Sequence, residues 1–388
     1  MENLSEKFLL LWKEKKTPDE ENREREEEQK KIRARWKPSE MRVHTEIMIL
    51  INHKKMAELE GLYDKKLAWK KAAHNKSMKG YRKHAPRYLQ FRNEWIKRNP
   101  GLEFEDITTV RAMTYTNQAV PQYVYDHHPN SLLIYWAQIK VGTSSVHLKW
   151  PLQVFGVVAV RDSIDSMRNI IFNRDRDDCQ ILTDLDSCLT LSGPTRAVGM
   201  TGPVTIEAEL KVKGEPEDSY FILGVEEISN CSSGFVNLTG ARGSRLKISF
   251  ERLNMCVEAT VFLRVIGGTW PDGVQGRFLA STYMSPMKAI LVALGDDKSI
   301  RCDGNITHLR HVVSVEDSGE LIVYVEYWTE EDAYVLREKV QFKAKLSGRS
   351  FGSLNVCSCQ VGVLVAWSRI RPICNDRVPA EMRKLCHY

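Results

Sequence analysis

From about residue 130 onward this sequence is written in a two-residue rhythm. In Val204-Thr-Ile-Glu-Ala-Glu-Leu-Lys-Val212 apolar and polar side chains alternate without a break. That is the pattern of a half-buried antiparallel strand, with one face in a core and the other turned outward. Segments of similar texture, rich in Val, Ile, Phe and Tyr, occur at Leu152–Val160, Ala259–Ile266, Leu321–Trp328 and Val361–Trp367. About a dozen such strands joined by short turns imply a sandwich or a barrel, because each apolar face needs a second layer to cover it.

The first hundred residues are written differently. Leu4, Phe8, Leu11 and Trp12 form one apolar stripe at helical spacing, and Ile47, Leu50, Ile51, Met56, Leu59, Tyr63 and Leu67 form another. Between them residues 19–35 are nearly all Glu, Arg and Lys. Opposite charges stand at i,i+4, as in Glu21–Arg25 and Glu27–Lys31, each pair contributing only about 0.2–0.5 kcal/mol. Pro86 suits the first position of a further helix, and Asn99-Pro100-Gly101 should end it.

A weak internal repeat runs through the β region. Trp150-Pro151 with Val154 and Gly156 matches Trp270-Pro271 with Val274 and Gly276, and Met167 and Ile170 fall in register with Met287 and Ile290. Arg196-Ala-Val and Arg310-His-Val each precede a long alternating strand. Duplication of one β unit would produce two similar β-layers related by a pseudo-twofold axis; a single unit with chance matches is the other reading.

The net charge of +6 conceals an asymmetry. Residues 1–100 hold 26 Lys+Arg against 16 Asp+Glu, which leaves 30 against 34 (56 − 26 and 50 − 16) for the rest. A basic arm facing an acidic partner follows from such a division. The nine cysteines are scattered, the start Met1-Glu-Asn-Leu-Ser-Glu-Lys7 has no apolar stretch, and no apolar run approaches the length of a membrane span. The expectation is a cytoplasmic or nuclear protein with free thiols and silent sequons at Asn230, Asn237 and Asn305.

Several collinear stretches carry a family resemblance. Trp150-Pro-Leu-Gln-Val-Phe-Gly-Val-Val-Ala-Val-Arg-Asp-Ser-Ile-Asp165, Arg168–Gln180, Leu191-Ser-Gly-Pro-Thr-Arg-Ala-Val198, Val265-Ile-Gly-Gly-Thr-Trp-Pro-Asp-Gly273 and Val312-Val-Ser-Val-Glu-Asp-Ser-Gly319 resemble a grass-rich plant family known as domain of unknown function 6598. The resemblance covers about residues 130–370. The family has no established activity. Related domains look like the C-terminal companion of ribosome-inactivating domains in jasmonate-induced cereal proteins, which implies a stress or defence setting by association alone. No N-glycosidase domain accompanies it in this sequence, so depurination does not carry over.

The sharpest local feature is the run Lys65–Arg98, where some dozen basic residues interleave with Trp69, Tyr81, Tyr88, Phe91 and Trp95. Lys70, Lys71, Arg82, Lys83, Arg87, Arg92 and Trp95 are the candidate binding residues, for RNA or for an acidic protein; a solvated helix face with its aromatics in a core is the plainer reading. Asp162, Asp165, Asp175, Asp177 and Asp178 are interrupted by Arg161, Arg168, Arg174 and Arg176. Ion pairing is therefore expected there in preference to calcium. Cys357 and Cys359 would point the same way on a strand, into a core, and no zinc site is expected. No residue is nominated as catalytic, and no metal or cofactor is expected.

These observations predict an α+β chain: a helical basic arm over 1–120, a linker at 121–131, a large antiparallel β-sandwich-like module over 132–370, and a tail at 371–388. The function expected is a non-enzymatic interaction or scaffold protein with protein partners. An RNA- or ribosome-associated binder and a hydrolase with an unfamiliar site stand as alternatives.

Overall fold

The structure is a computed structural model that describes residues 85–118, 129–142, 148–214, 218–229, 233–240, 243–283, 285, 287–294, 304–306, 310–329 and 336–370. They form one α-helix, α1 (Pro86–Arg98), and strands in four antiparallel sheets. The expectation of an α+β chain is thereby corrected. The described residues are dominated by strand, and the helical spacing stops at Asn99-Pro100-Gly101. Beyond it the chain runs in turns to residue 118, tied to the strands by Thr108 N–H to Arg168 O (3.0 Å) and Gly348 N–H to Thr116 O (2.8 Å). The helical patterns read in residues 1–84 lie outside the described residues.

The strands make two sandwiches. In the first, β1 (Ser131–Lys140), β5 (Val198–Gly199), β8 (Ser233–Thr239) and β9 (Arg245–Leu253) form a sheet in the order β5-β1-β9-β8. Facing it are β2 (Leu152–Arg161), β3 (Asn169–Arg174), β6 (Val204–Val212) and β7 (Ser219–Ile228) in the order β3-β2-β6-β7, with β4 (Gln180–Leu182) also on β2. Val154, Val158, Val160, Ile206, Ala208, Leu210, Ile134 and Ile248 fill the space between.

The second sandwich repeats this plan. The strands β10 (Cys256–Gly267), β13 (Val312–Glu316), β16 (Gly348–Val356) and β17 (Cys359–Arg369) run in the order β13-β10-β17-β16. Opposite them β11 (Val274–Thr282), β12 (Ala289–Leu294), β14 (Glu320–Thr329) and β15 (Leu336–Lys343) run β12-β11-β14-β15. Replacing β1, β2, β3, β5, β6, β7, β8 and β9 by β10 to β17 in turn converts one pair of sheets into the other. The register agrees residue by residue. Gly156 pairs with Arg174 and Leu210, and Gly276 with Leu294 and Tyr327. The bulge between Val158 and Ala159 recurs between Phe278 and Leu279. What is repeated is a whole two-sheet sandwich rather than a layer. Bulges and register are set by local sequence, so two copies of one ancestral pattern fold to the same ladder.

Strand β1 joins the halves by burying both of its faces. Ile134 and Ala137 enter the first core, while Leu133 and Tyr135 enter the second. Polar bonds cross the same junction: Ser131 Oγ to Ser314 Oγ (2.6 Å), Tyr135 Oη to Ser285 Oγ (2.7 Å), and an Arg310 guanidinium N–H to Ile134 O. Among the described residues no helix is long and apolar enough to cross a membrane.

Candidate functional site

Helix α1 begins with Pro86, whose missing N–H would be unsatisfied in any case, and it closes with Lys97 and Arg98 at the negative end of its dipole. The helix lies against β7. Tyr88 and Trp95, two turns apart on one face, are buried. They meet Phe104, which follows the helix and receives the rings of Tyr88, Phe91 and Trp95 edge-on at centroid distances of 6.1, 5.9 and 5.4 Å. Three guanidinium groups, from Arg161, Arg92 and Arg168, also lie over the Phe104 ring at 4.3, 4.6 and 5.1 Å. A ring face carries negative quadrupole potential, so such stacking stabilises partly desolvated cations.

Glu207 supplies the counter-charge. It accepts from Arg161 Nε (3.3 Å) and Nη2 (3.1 Å) and from Arg168 Nε. Burial pushes the Arg161 guanidinium below its ordinary range. For Arg168 burial works the same way, but the charges of Glu207 and Glu209 hold it above. Burial and the nearby Glu209 drive the Tyr88 phenol far up, so Tyr88 is a neutral donor. Glu207 sits on the outward face of β6, which the alternation Val204–Val212 assigns to the half-buried side. The helix and the Phe104 plug roof that face.

The nominated binding residues separate accordingly. Lys70, Lys71, Arg82 and Lys83 lie outside the described residues. Arg87 is exposed and bonds Glu226 at 2.8 Å. Arg92 is spent on Glu105 and the Phe104 ring. Trp95 is 6% exposed and donates its indole N–H to Ser166 O at 2.9 Å. Of these three, then, two serve the seat of the helix and one remains at the surface.

Asp162 takes a two-pronged bond from Arg196 (2.6 and 3.0 Å) and caps the Gly199 N–H, and Asp165 accepts from Thr108 and Met167. Arg174 pairs with Asp178, and Arg176 with Asp218. The expectation for the cysteines needs correction. Val356 pairs with Cys359, which leaves Cys357-Ser358 as a two-residue turn with Cys357 exposed at φ 52°. Cys359 starts β17 and is buried. A turn of this hand follows from the twist of the paired strands and places the thiols apart.

A different surface gathers charge. On the outward face of the second sandwich Glu326 stands between Arg277 on β11 and Arg337 on β15. Although only 3% exposed, it accepts from Arg277 Nη2 (2.7 Å), Lys288 Nζ (3.0 Å) and Arg337 Nε (3.1 Å). Burial works to raise its carboxyl, yet hydrogen bonds from Lys288 and Arg277 bring it below the ordinary glutamate range. Lys288 also lies 4.2 Å over the Tyr324 ring. The alternation along β15 places Lys339 and Lys343 beside Arg337, both exposed. Among the described residues, five basic groups (Arg277, Lys288, Arg337, Lys339, Lys343) thus meet two carboxylates (Glu320, Glu326) on this face.

The internal repeat shows how this face diverged. By register, Leu223 and Val225 of the first sandwich correspond to Arg337 and Lys339 of the second, and Val157 to Arg277. Leu223 and Val225 are 3% and 8% exposed where α1 lies against β7. Arg337 and Arg277 are 64% and 45% exposed. The even spacing of Arg337, Lys339 and Lys343 (i, i+2, i+6) is visible in sequence, but Arg277 and Lys288 join them only once the strands are in register.

The stretch from Ser131 to Val365, which spans both sandwiches from the first residue of β1 into β17, matches the profile of a domain of unknown function, DUF6598, over residues 131–365. The chain belongs to the DUF6598 family. The DUF6598 unit therefore comprises the two repeated sandwiches together, while α1 and Phe104 precede it. No curated protein matches the chain. Among solved structures, human GIVD cytosolic phospholipase A2 aligns at 7% identity and a TM-score of 0.22, covering 63% of this chain and 33% of that one. The same enzyme in complex with methyl gamma-linolenyl fluorophosphonate and terbium chloride aligns at 6% identity and a TM-score of 0.21, covering 63% and 32%. The DUF6598 chain thus spans about a third of that protein, and a likeness this slight carries no argument about activity.

Proposed function

We propose that this protein is a non-catalytic interaction module whose second sandwich docks an acidic helical segment of a partner protein through the face of β11, β14 and β15. One observation carries this: equivalent sheet faces of a repeated fold differ in what they present. In the first sandwich a basic helix lies against a sheet face that contributes Glu207 and Glu209, with Arg87 on Glu226 and Tyr88 on Glu209. In the second sandwich Glu326 stands where the first has Glu209, but the apolar positions Val157, Leu223 and Val225 are replaced by the exposed cations Arg277, Arg337 and Lys339. Opposed charges steer encounter and select partners more than they add raw affinity. The resemblance to companion domains of jasmonate-induced cereal proteins supports a stress- or defence-linked setting in plants. The free thiols of Cys179, Cys188, Cys256, Cys357 and Cys359 support a reducing compartment, cytoplasmic or nuclear.

The test uses the full chain and labelled poly-L-glutamate, with single-stranded poly(U) as the nucleic-acid arm. Anisotropy should show poly-glutamate binding that weakens between about 50 and 200 mM salt. The double variant Arg337→Glu/Lys339→Glu should lose about tenfold in affinity or more. Unchanged binding in that variant refutes the assignment of the face. Poly(U) binding that falls with the same variant, while poly-glutamate binding does not, would move the function to nucleic acid.

A further inference from the structure

At one end of the first sandwich a cavity of about 420 Å³ opens between the start of β1, the β5–β6 turn and the ends of β7 and β9. Asn130, Thr201, Ser229 and Arg252 help to line it, and none of its described lining residues is acidic. The buried Nε of Arg252 has no hydrogen-bond partner. The repeat supplies a control for this residue. Leu132 pairs with Val198 and Arg252, and Val257 pairs with Val315 and Arg369, so Arg369 is the counterpart of Arg252. Arg369 lies 5.2 Å over the ring of Tyr115 and is buried. The first sandwich leaves its arginine facing a cavity instead.

We propose that this cavity binds a small phosphomonoester, with Arg252 holding the phosphate. A guanidinium fork matches two oxygens of an oxyanion, and a half-buried cation with no counter-charge beside it gains from acquiring one. Asn130, Thr201 and Ser229 supply neutral donors for the remaining oxygen. Hydrogen bonds fix two of these residues: Asn130 Oδ1 accepts from the Met255 backbone N–H (3.2 Å), and the Thr201 backbone N–H donates to Ser163 Oγ (3.2 Å). The volume lies in the range of small-molecule sites, which run from about 300 to 1,000 Å³. It exceeds what one phosphate needs and leaves room for the esterified group.

Isothermal titration of the full chain with inorganic phosphate and with glycerol 2-phosphate, at constant ionic strength in chloride, tests the proposal. Both should bind at one site, the ester at least as tightly, and acetate should bind more weakly than either. Arg252→Met should abolish binding and Arg252→Lys should weaken it about tenfold, the bidentate fork being lost. Arg369→Met and Arg337→Glu/Lys339→Glu should leave it unchanged, which separates this site from the basic face. Should Arg252→Met fail to fold, Thr201→Val/Ser229→Ala must still weaken binding by about tenfold. Absence of phosphate binding, or binding that survives these cavity substitutions, overturns the site. Tighter binding of acetate than of phosphate, or of free phosphate without the ester, overturns the ligand class.

Discussion

Arg161 on β2 and Glu207 on β6 face each other beneath helix α1, with side chains 5% and 2% exposed and the two guanidinium nitrogens 3.3 and 3.1 Å from the carboxylate. Arg168 leans on the same carboxylate. Two cations therefore share this buried carboxylate, with Glu209 a further 4.0 Å partner for Arg168 alone. Removing the shared carboxylate leaves Arg161 only rings and carbonyl oxygens, which supply partial charge. Glu207→Gln should lower the unfolding free energy by about 3–5 kcal/mol, the usual range when one member of a buried pair is lost. Denaturant titration of the full chain checks it; a loss below about 1 kcal/mol would mean that the Phe104 ring and the Ser166 and Phe104 carbonyls suffice.

Phe104 anchors α1 to the first sandwich through three edge-on rings and three guanidinium stacks. Phe104→Ala removes a buried aromatic ring and should destabilise by about 3–5 kcal/mol. Hydrogen exchange gives the more specific readout. Amides of Pro86–Arg98 should lose protection before those of β6, because the helix then rests on β7 and on the bonds of Trp95 to Ser166 and of Tyr88 to Glu209. Protection that falls equally in both would show that the helix and the sheet unfold together for another reason.

The strands were legible because each carries its own rhythm. Val204–Val212 reads as it folds, and Pro86 with Asn99-Pro100-Gly101 bounds α1 as their backbone chemistry requires. Trp150-Pro151 and Trp270-Pro271 marked the repeat, whose bulges and ladders keep the same 120-residue spacing from Gly156–Arg174 to Gly276–Leu294. What local pattern does not hold is the facing of charged side chains. Arg92 and Trp95 look like a nucleic-acid patch until Phe104, Glu105 and Ser166 claim them. Glu207 looks solvated until Arg161, forty-six positions away, reaches it. Such pairings arise from tertiary register, which alternation alone does not encode.

Glu258 on β10 accepts the N–H groups of Ala197 and Met113, each at 2.8 Å, and is buried. Burial raises its carboxyl above the ordinary 4.5, against the lowering effect of those amides and of Arg196. The folded protein thus binds this proton more tightly than the unfolded chain does. Its contribution to stability is complete below the ordinary value and is lost as pH rises through the raised one. Glu258→Gln does not titrate, so the melting temperature of the native chain minus that of the variant should shrink from about pH 4 to pH 8. A difference that is flat or widens with pH contradicts the shift.

Arg310 is fully buried at the junction of the sandwiches, where Nη1 donates to Ile134 O while Nε and Nη2 have no partner. Burial lowers its guanidinium to about 10. A methionine of similar reach would fill the site without the charge, so Arg310→Met should leave stability unchanged or raise it by about 1–3 kcal/mol. Thermal and denaturant unfolding decide this. A loss above about 2 kcal/mol would show that the bond to Ile134 outweighs the two unpaired nitrogens.

Zero-length carbodiimide coupling of a synthetic acidic amphipathic helix to the full chain, with the linked lysines located by mass spectrometry, addresses the basic face directly. Links should concentrate at Lys288, Lys339 and Lys343 and disappear in Arg337→Glu/Lys339→Glu at the remaining two. Links confined to lysines outside that face, or spread evenly over exposed lysines such as Lys140 and Lys345, would contradict an acidic-helix dock on the second sandwich.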